Sequence, residues 1–378
     1  MNRVTAAPLG CLRKKQAIPM ASSAADGVAP IARVHFASLD AVRAVLAVAV
    51  LLYHLGGTIA LPKYFGFDGF ANTFGFGGAR VPFFFVLSGF LLAHLHAQDV
   101  DQPRRLWPFL RRRLLRIYPT YWLILLLVIA ATLLVPALRG KVPADPAVLL
   151  QTFLLLPQEA RTGGPTGAPL IIVAWTLHYE MAFYALLAAF VCSRLLGTLC
   201  LLALGLNALD CSSGGCGLYR GFLANPYLSH FGIGAAAGLL AQRLPPLPNA
   251  RALATGAIVA YVLLALSVDG HVDIRSMADP NVYFALLASL VLICLVSADS
   301  TRPRRPLHPG VKMVADASYP LYLLHFPLIS ICCRLLVAAG LSGVTGAVLA
   351  FVGIGLLCLV LAIAFHRWVE KPLLRWLR

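Results

Sequence analysis

Charge is what this sequence has least of. Acidic and basic residues together make up 12% of its 378 positions, about half the roughly 25% usual in soluble globular chains. Only 15 residues are acidic, and one of them, Glu180, lies deep in an apolar run, while Asp40, Asp210 and Asp316 sit at the edges of such runs. The scarcity of charge accompanies a 60% hydrophobic composition and a mean hydropathy of +0.81. Together these values exclude a disordered chain, a disulfide-framework secreted domain and a soluble α/β enzyme. No cleavable leader is expected either, because Arg13, Lys14 and Lys15 are followed by no apolar segment before Pro19. The first 37 residues read as a flexible cytoplasmic tail, and 38–378 as one membrane domain.

Long apolar runs are what the chain does have. Windows of about 20 apolar residues can cross a bilayer as helices, and ten candidates stand out: 38–60, 81–98, 116–138, 171–193, 195–210, 227–242, 250–268, 281–298, 317–338 and 343–367. The stretch 147–157, closed by Pro157, is too short and reads as a re-entrant or interfacial piece. The expected fold is therefore all-α and polytopic, with about ten transmembrane helices. The formal net charge of +16 would suggest nucleic acid in a soluble protein; here it is topological. With the N-terminus inside, 22 of the 31 Lys and Arg fall in cytoplasmic segments and seven in outer loops, Arg80 among the seven. That bias orients the chain with both termini cytoplasmic in a plasma membrane.

Of nine cysteines, six lie in apolar runs as small hydrophobes. Cys211 and Cys216 bracket a Ser-Ser-Gly-Gly turn in an expected outer loop, where either a disulfide or two free thiols would fit. No metal site is expected.

Ionisable groups in lipid are costly and are candidates for function; for Arg43 and His54 a snorkelling arginine and a structural imidazole hydrogen-bonded to a neighbouring helix is the alternative. Arg43 and His54 are eleven residues apart, which is three helical turns plus 20°, so they share a helix face about 16 Å apart. Asp40 is placed to pair with Arg43 from one turn away. Arg80 opens the second run, in which Ser88-Gly89 is a small step among aromatics that lets helices approach closely. Six arginines fill 99–116; Arg113 and Arg116 lie one turn apart near the bilayer, and their guanidinium forks suit phosphate oxygens or anionic lipid headgroups. Glu180 lies in the fourth run, and Tyr322 and His325 in the ninth.

These segments resemble the acyltransferase-3 family of integral membrane acyltransferases. The likeness rests on Leu39-Asp40-Ala41-Val42-Arg43 with His54, Phe84 to Phe90, Arg112 to Pro119, Trp175 to Tyr184, Ser318 to Pro327 and Glu370-Lys371-Pro372. It spans roughly 36–376. Two departures stand out: alanines (Ala41, Ala44) replace the glycines around Arg43, and Met181 replaces the second acid of the fourth motif. The resemblance implies a ten-helix enzyme that moves an acyl group, commonly acetyl, from cytoplasmic acyl-CoA to a hydroxyl of a glycan or lipid-linked glycan. Acyl-CoA would be a co-substrate, with no bound cofactor. His54 would be the catalytic imidazole and Arg43 its companion, with Arg113 and Arg116 on the CoA phosphates. Glu180 is a candidate to orient or charge-stabilise His54, with Asp40, Ser88, Tyr322 and His325 in support. A proton-coupled transporter of a small metabolite or glycan precursor, or a non-catalytic scaffold, is the alternative that sparse intramembrane His and Glu also permit.

Overall fold

The computed structural model describes residues 36–75, 79–134, 142–159, 167–168, 170–269, 280–301 and 306–377. The tail through residue 35, Cys11, and the loop cations Arg139, Lys141, Arg161 and Arg275 lie outside them. Ten long helices follow in chain order: α1 (Ala37–Ile59), α2 (Arg80–His96), α3 (Leu106–Leu134), α4 (Trp175–Cys192), α5 (Arg194–Ser212), α6 (Tyr227–Arg243), α7 (Ala250–Asp269), α8 (Pro280–Ser300), α9 (Ser318–Ala338) and α10 (Gly343–Phe365). Among the described residues there is no β-strand, and nine helices are long and apolar enough to cross a bilayer. Helix α6 falls short at 17 residues, whereas α2 reaches 20 residues with the 3-10 turn that continues it to Asp99. The protein is an all-α, polytopic membrane protein.

Three boundaries differ from the sequence reading. Helix α3 begins at Leu106 rather than near 116, so Arg111, Arg112 and Arg113 occupy its first turns instead of a loop. Arginine is a good helix former, and Pro108 falls in the first turn, where a missing N–H is tolerated. The stretch expected at 147–157 forms a short helix, Pro146–Phe153, N-capped by the Asp145 side chain. It is tied to α3 by Tyr118, Tyr121 and Trp122, which donate to the carbonyls of Leu154, Thr152 and Phe153. Beyond α10 the chain stays helical through a π-type turn, His366–Glu370, and a short helix, Lys371–Trp376.

Lipid offers no hydrophobic drive between helices, so close packing and polar links hold the bundle. The tightest pair is α2 with α6. A Cβ added at Gly89 would collide with the Phe231 carbonyl, one at Gly234 with Val86, and one at Gly238 with Phe90. The small step expected at Ser88-Gly89 is thus matched by glycines on the facing helix. Helix α1 packs against α8, α9, α10 and the short helix Pro309–Asp316. Its first turn is fastened by Asp299 at the end of α8, which accepts from the Ser38 N–H (3.0 Å) and hydroxyl (2.8 Å). Helix α5 presents Leu195, Leu199, Leu202, Leu206 and Leu209 outward, the apolar stripe a lipid-facing helix requires. At its far end Cys211 and Cys216 are disulfide-bonded, Cα atoms 5.4 Å apart, the bridged one of the two states the sequence allowed.

Candidate active site

Helix α1 carries one wall of a cavity of about 330 Å³. Arg43 lines one end of this wall and Tyr53 with His54 the other, so the helical register brings both groups to one lumen. From α2 come Arg80, Phe84, Phe85 and Ser88; from α3, Arg116; from α4, Trp175, Thr176 and Glu180; from α9, Ser318, Tyr319 and Tyr322. The lumen thus joins two unlike ends. One holds guanidiniums and a carboxylate; the other holds an imidazole, a guanidinium and aromatic faces.

At the first end, Arg43 donates to Asp40 at 3.2 Å, and Asp40 also stands 3.7 Å from Lys312. Glu180 accepts a hydrogen bond from the Tyr184 hydroxyl. Arg116 lies within electrostatic reach of Tyr184, Glu180, Tyr319 and Glu370, and among the described residues it makes no hydrogen bond. Arg113, one turn earlier, does not line the cavity. Its Nη2 donates to His96 Nε2 at 2.7 Å. His96 Nδ1 in turn lies 2.6 Å from Asp99, which also pairs with Arg105. Since Arg113 can only donate, His96 carries its proton on Nδ1 and gives it to Asp99.

At the other end, the His54 ring is bordered by Tyr53, His325 and Phe326, with centroids at 5.0, 5.2 and 5.4 Å. Among the described residues no hydrogen bond reaches His54. Glu180 shares the cavity with it, but its hydrogen bond goes to Tyr184. Tyr322 is locked to the start of α4 by the Thr176 hydroxyl at 2.6 Å and to the 3-10 turn before it by the Val173 carbonyl at 2.5 Å.

Two residues of this region were missed by sequence reasoning. Arg80, counted with the outer loops, is only 6% exposed and lies 3.8 Å over the Tyr53 ring, a cation–π contact. Its one signal was its place immediately before the Phe-rich motif. Glu370, named from sequence only within the closing motif and given no role, is the second: it is 5% exposed, accepts from Thr120 at 3.0 Å and pairs with His366 at 2.6 Å. Glu180 is therefore not the lone acid inside the bundle. The helical continuation past α10 carries Glu370 back against α3, one turn from Arg116.

Residues 36–367 match the family described as Acyltransferase domain. Among curated proteins, the chain is similar to the exopolysaccharide production protein ExoZ of Rhizobium meliloti (strain 1021). The two are 29% identical over 316 residues, covering 80% of this chain and 92% of the relative. No solved structure matches.

Proposed function

Since the chain belongs to the acyltransferase-3 family of membrane acyltransferases, we propose that it moves an acyl group, acetyl in the simplest case, from cytoplasmic acyl-CoA to a glycan hydroxyl. The carrying observation is the single cavity with Arg43 and Arg116 at one end and His54 at the other, about 16 Å apart along α1. Arg116 meets the CoA phosphates through its fork of donors, with Arg43 beside it, and the pantetheine arm runs along α1. The thioester carbonyl then lies at His54. The name of the relative supports an exopolysaccharide or its lipid-linked precursor as acceptor, and the cation bias of the sequence supports a bacterial inner membrane with both termini inside. Membership of an enzyme family sets the transporter and scaffold alternatives aside.

The chemistry is ordinary acyl transfer. His54 takes the proton of the acceptor hydroxyl as its oxygen attacks the thioester carbon. The tetrahedral intermediate places negative charge on the former carbonyl oxygen, and Arg80, held on Tyr53, supplies the compensating positive charge. The carbon–sulfur bond breaks, and the proton on His54 passes to the departing CoA sulfur. The aromatic lining excludes water, which would otherwise hydrolyse the thioester. His54→Ala, compared with wild type in membranes of matched expression and supplied with labelled acetyl-CoA, is expected to abolish transfer of label to glycan. Near wild-type transfer would refute this mechanism.

A further inference from the structure

The imidazole in the cavity has a second imidazole behind it. His325 is 1% exposed and does not line the lumen; its ring centroid is 5.2 Å from that of His54, with the planes tilted by 40°. The protonation of His325 is fixed by its own helix. Nδ1 lies 3.0 Å from the Leu321 carbonyl oxygen, which can only accept, so Nδ1 carries a hydrogen. In the neutral ring Nε2 is then a bare lone pair. That atom is buried, and among the described residues it has no hydrogen-bond partner. A buried acceptor left unpaired is destabilising, so its persistence needs a reason.

The neighbours narrow the choice of donor. Tyr322, whose ring centroid is 6.0 Å away, has its hydroxyl engaged by the Val173 carbonyl and by Thr176. Phe326, a further ring against His54, has no proton to give. Glu180, the carboxylate in the cavity, is held by Tyr184. His54 itself has a ring N–H and no partner for it among the described residues. A centroid spacing of 5.2 Å brings facing ring nitrogens to about 3 Å when the rings turn toward each other, which is hydrogen-bond distance. Such contacts are often slack in the empty enzyme and close when substrate binds.

We infer that His325 is the positioning partner of His54: its Nε2 accepts the N–H of one His54 nitrogen, leaving the other nitrogen bare and turned to the lumen. This rests on the acyl-transfer reading above and gives His325 the task that a carboxylate has in a hydrolase triad, performed by a neutral acceptor suited to a lipid-buried site. As the acceptor O–H bond breaks and the proton joins His54, the resulting imidazolium keeps its second N–H on His325. The proton then leaves with the CoA sulfur, and His325 changes protonation at no stage.

His325→Asn and His325→Gln separate this role from packing. Asparagine keeps a donor near Nδ1 for Leu321 but offers no acceptor at Nε2; glutamine restores a carbonyl oxygen near Nε2. In membranes of matched expression, His325→Asn is expected to lower kcat by about 100-fold or more with the acyl-CoA KM unchanged. His325→Gln is expected to regain about tenfold of that loss. Any residual transfer in a His54→Ala background is expected to be unchanged by His325→Asn, because partners in one network are not additive. Asparagine activity within threefold of wild type, equal losses for Asn and Gln, a loss confined to KM, or failure of both variants to accumulate would each overturn the inference. The His54→Ala arm keeps the two readings apart. If it stays active, the acyl-transfer mechanism falls and takes this role with it. If it is inactive while His325→Asn is normal, only the role of His325 falls.

Discussion

The two arginines that sequence spacing paired as phosphate ligands are set in different surroundings, and this difference can be measured. Arg116 lines the cavity and has no hydrogen bond among the described residues, whereas Arg113 lies outside the lining and donates to His96. Replacing Arg116 with alanine removes at least one charge-assisted bond to phosphate, a loss of about 1.5–3 kcal/mol. That corresponds to a rise in the acyl-CoA KM of roughly 10- to 150-fold. Lysine at the same position keeps the charge but loses the fork and is expected to fall between. Arg113→Ala leaves the cavity lining intact and is expected to change the donor KM less than fivefold. Its effect belongs to stability, since it strips the His96–Asp99 pair of a donor, at about 1 kcal/mol. The assay is transfer of labelled acetyl in membranes, run with acetyl-CoA and in parallel with acetyl-pantetheine, which lacks the CoA phosphates. Arg116→Ala should harm the first donor and spare the second. Equal penalties on both donors, or a KM effect of Arg113→Ala as large as that of Arg116→Ala, would refute the assignment.

Two further outcomes are expected. Gly234→Val pushes a side chain into the Val86 backbone and should destabilise the α2–α6 pair by about 1–3 kcal/mol, read as a lower melting temperature in detergent; Gly232→Ala, where a Cβ meets nothing within 4 Å, should be nearly neutral, and equal melting for the two would count against the packing argument. Cys211 and Cys216 should resist thiol labelling until reductant is added, and Cys211→Ser should cost about 2 kcal/mol for so short a loop with transfer activity retained; labelling of both without reductant would show the bridge absent.

The sequence made the helices legible because membrane spans announce themselves by length and hydropathy. The Arg43–His54 stripe was legible too, since a helix of fixed period carries its own geometry. What lay hidden was depth and partnership between helices. Arg80 looked like a loop cation because it is the first residue of its helix; burial against Tyr53, on a neighbouring helix, is a tertiary fact with no local signature. Glu370 was legible as part of the closing motif but not as a buried acid, because the chain was taken to leave the bundle after its last apolar run. Arg113 and Arg116, one turn apart, looked equivalent; only the position of His96, carried by another helix, separates them. The juxtaposition of His54 and His325 joins residues 271 positions apart in the chain, which no period can report.

Arg43 and His54 share a single helix with no proline between them. Their separation is therefore a calibrated length, stiff along its axis and independent of any motion among the other nine helices. One residue inserted between them would shift it by only about 1.5 Å yet swing His54 through 100°, away from the lumen. Substitutions elsewhere in α1 can be absorbed by repacking, but an insertion or deletion between these two positions cannot, and the eleven-residue interval is the dimension of the protein least free to drift.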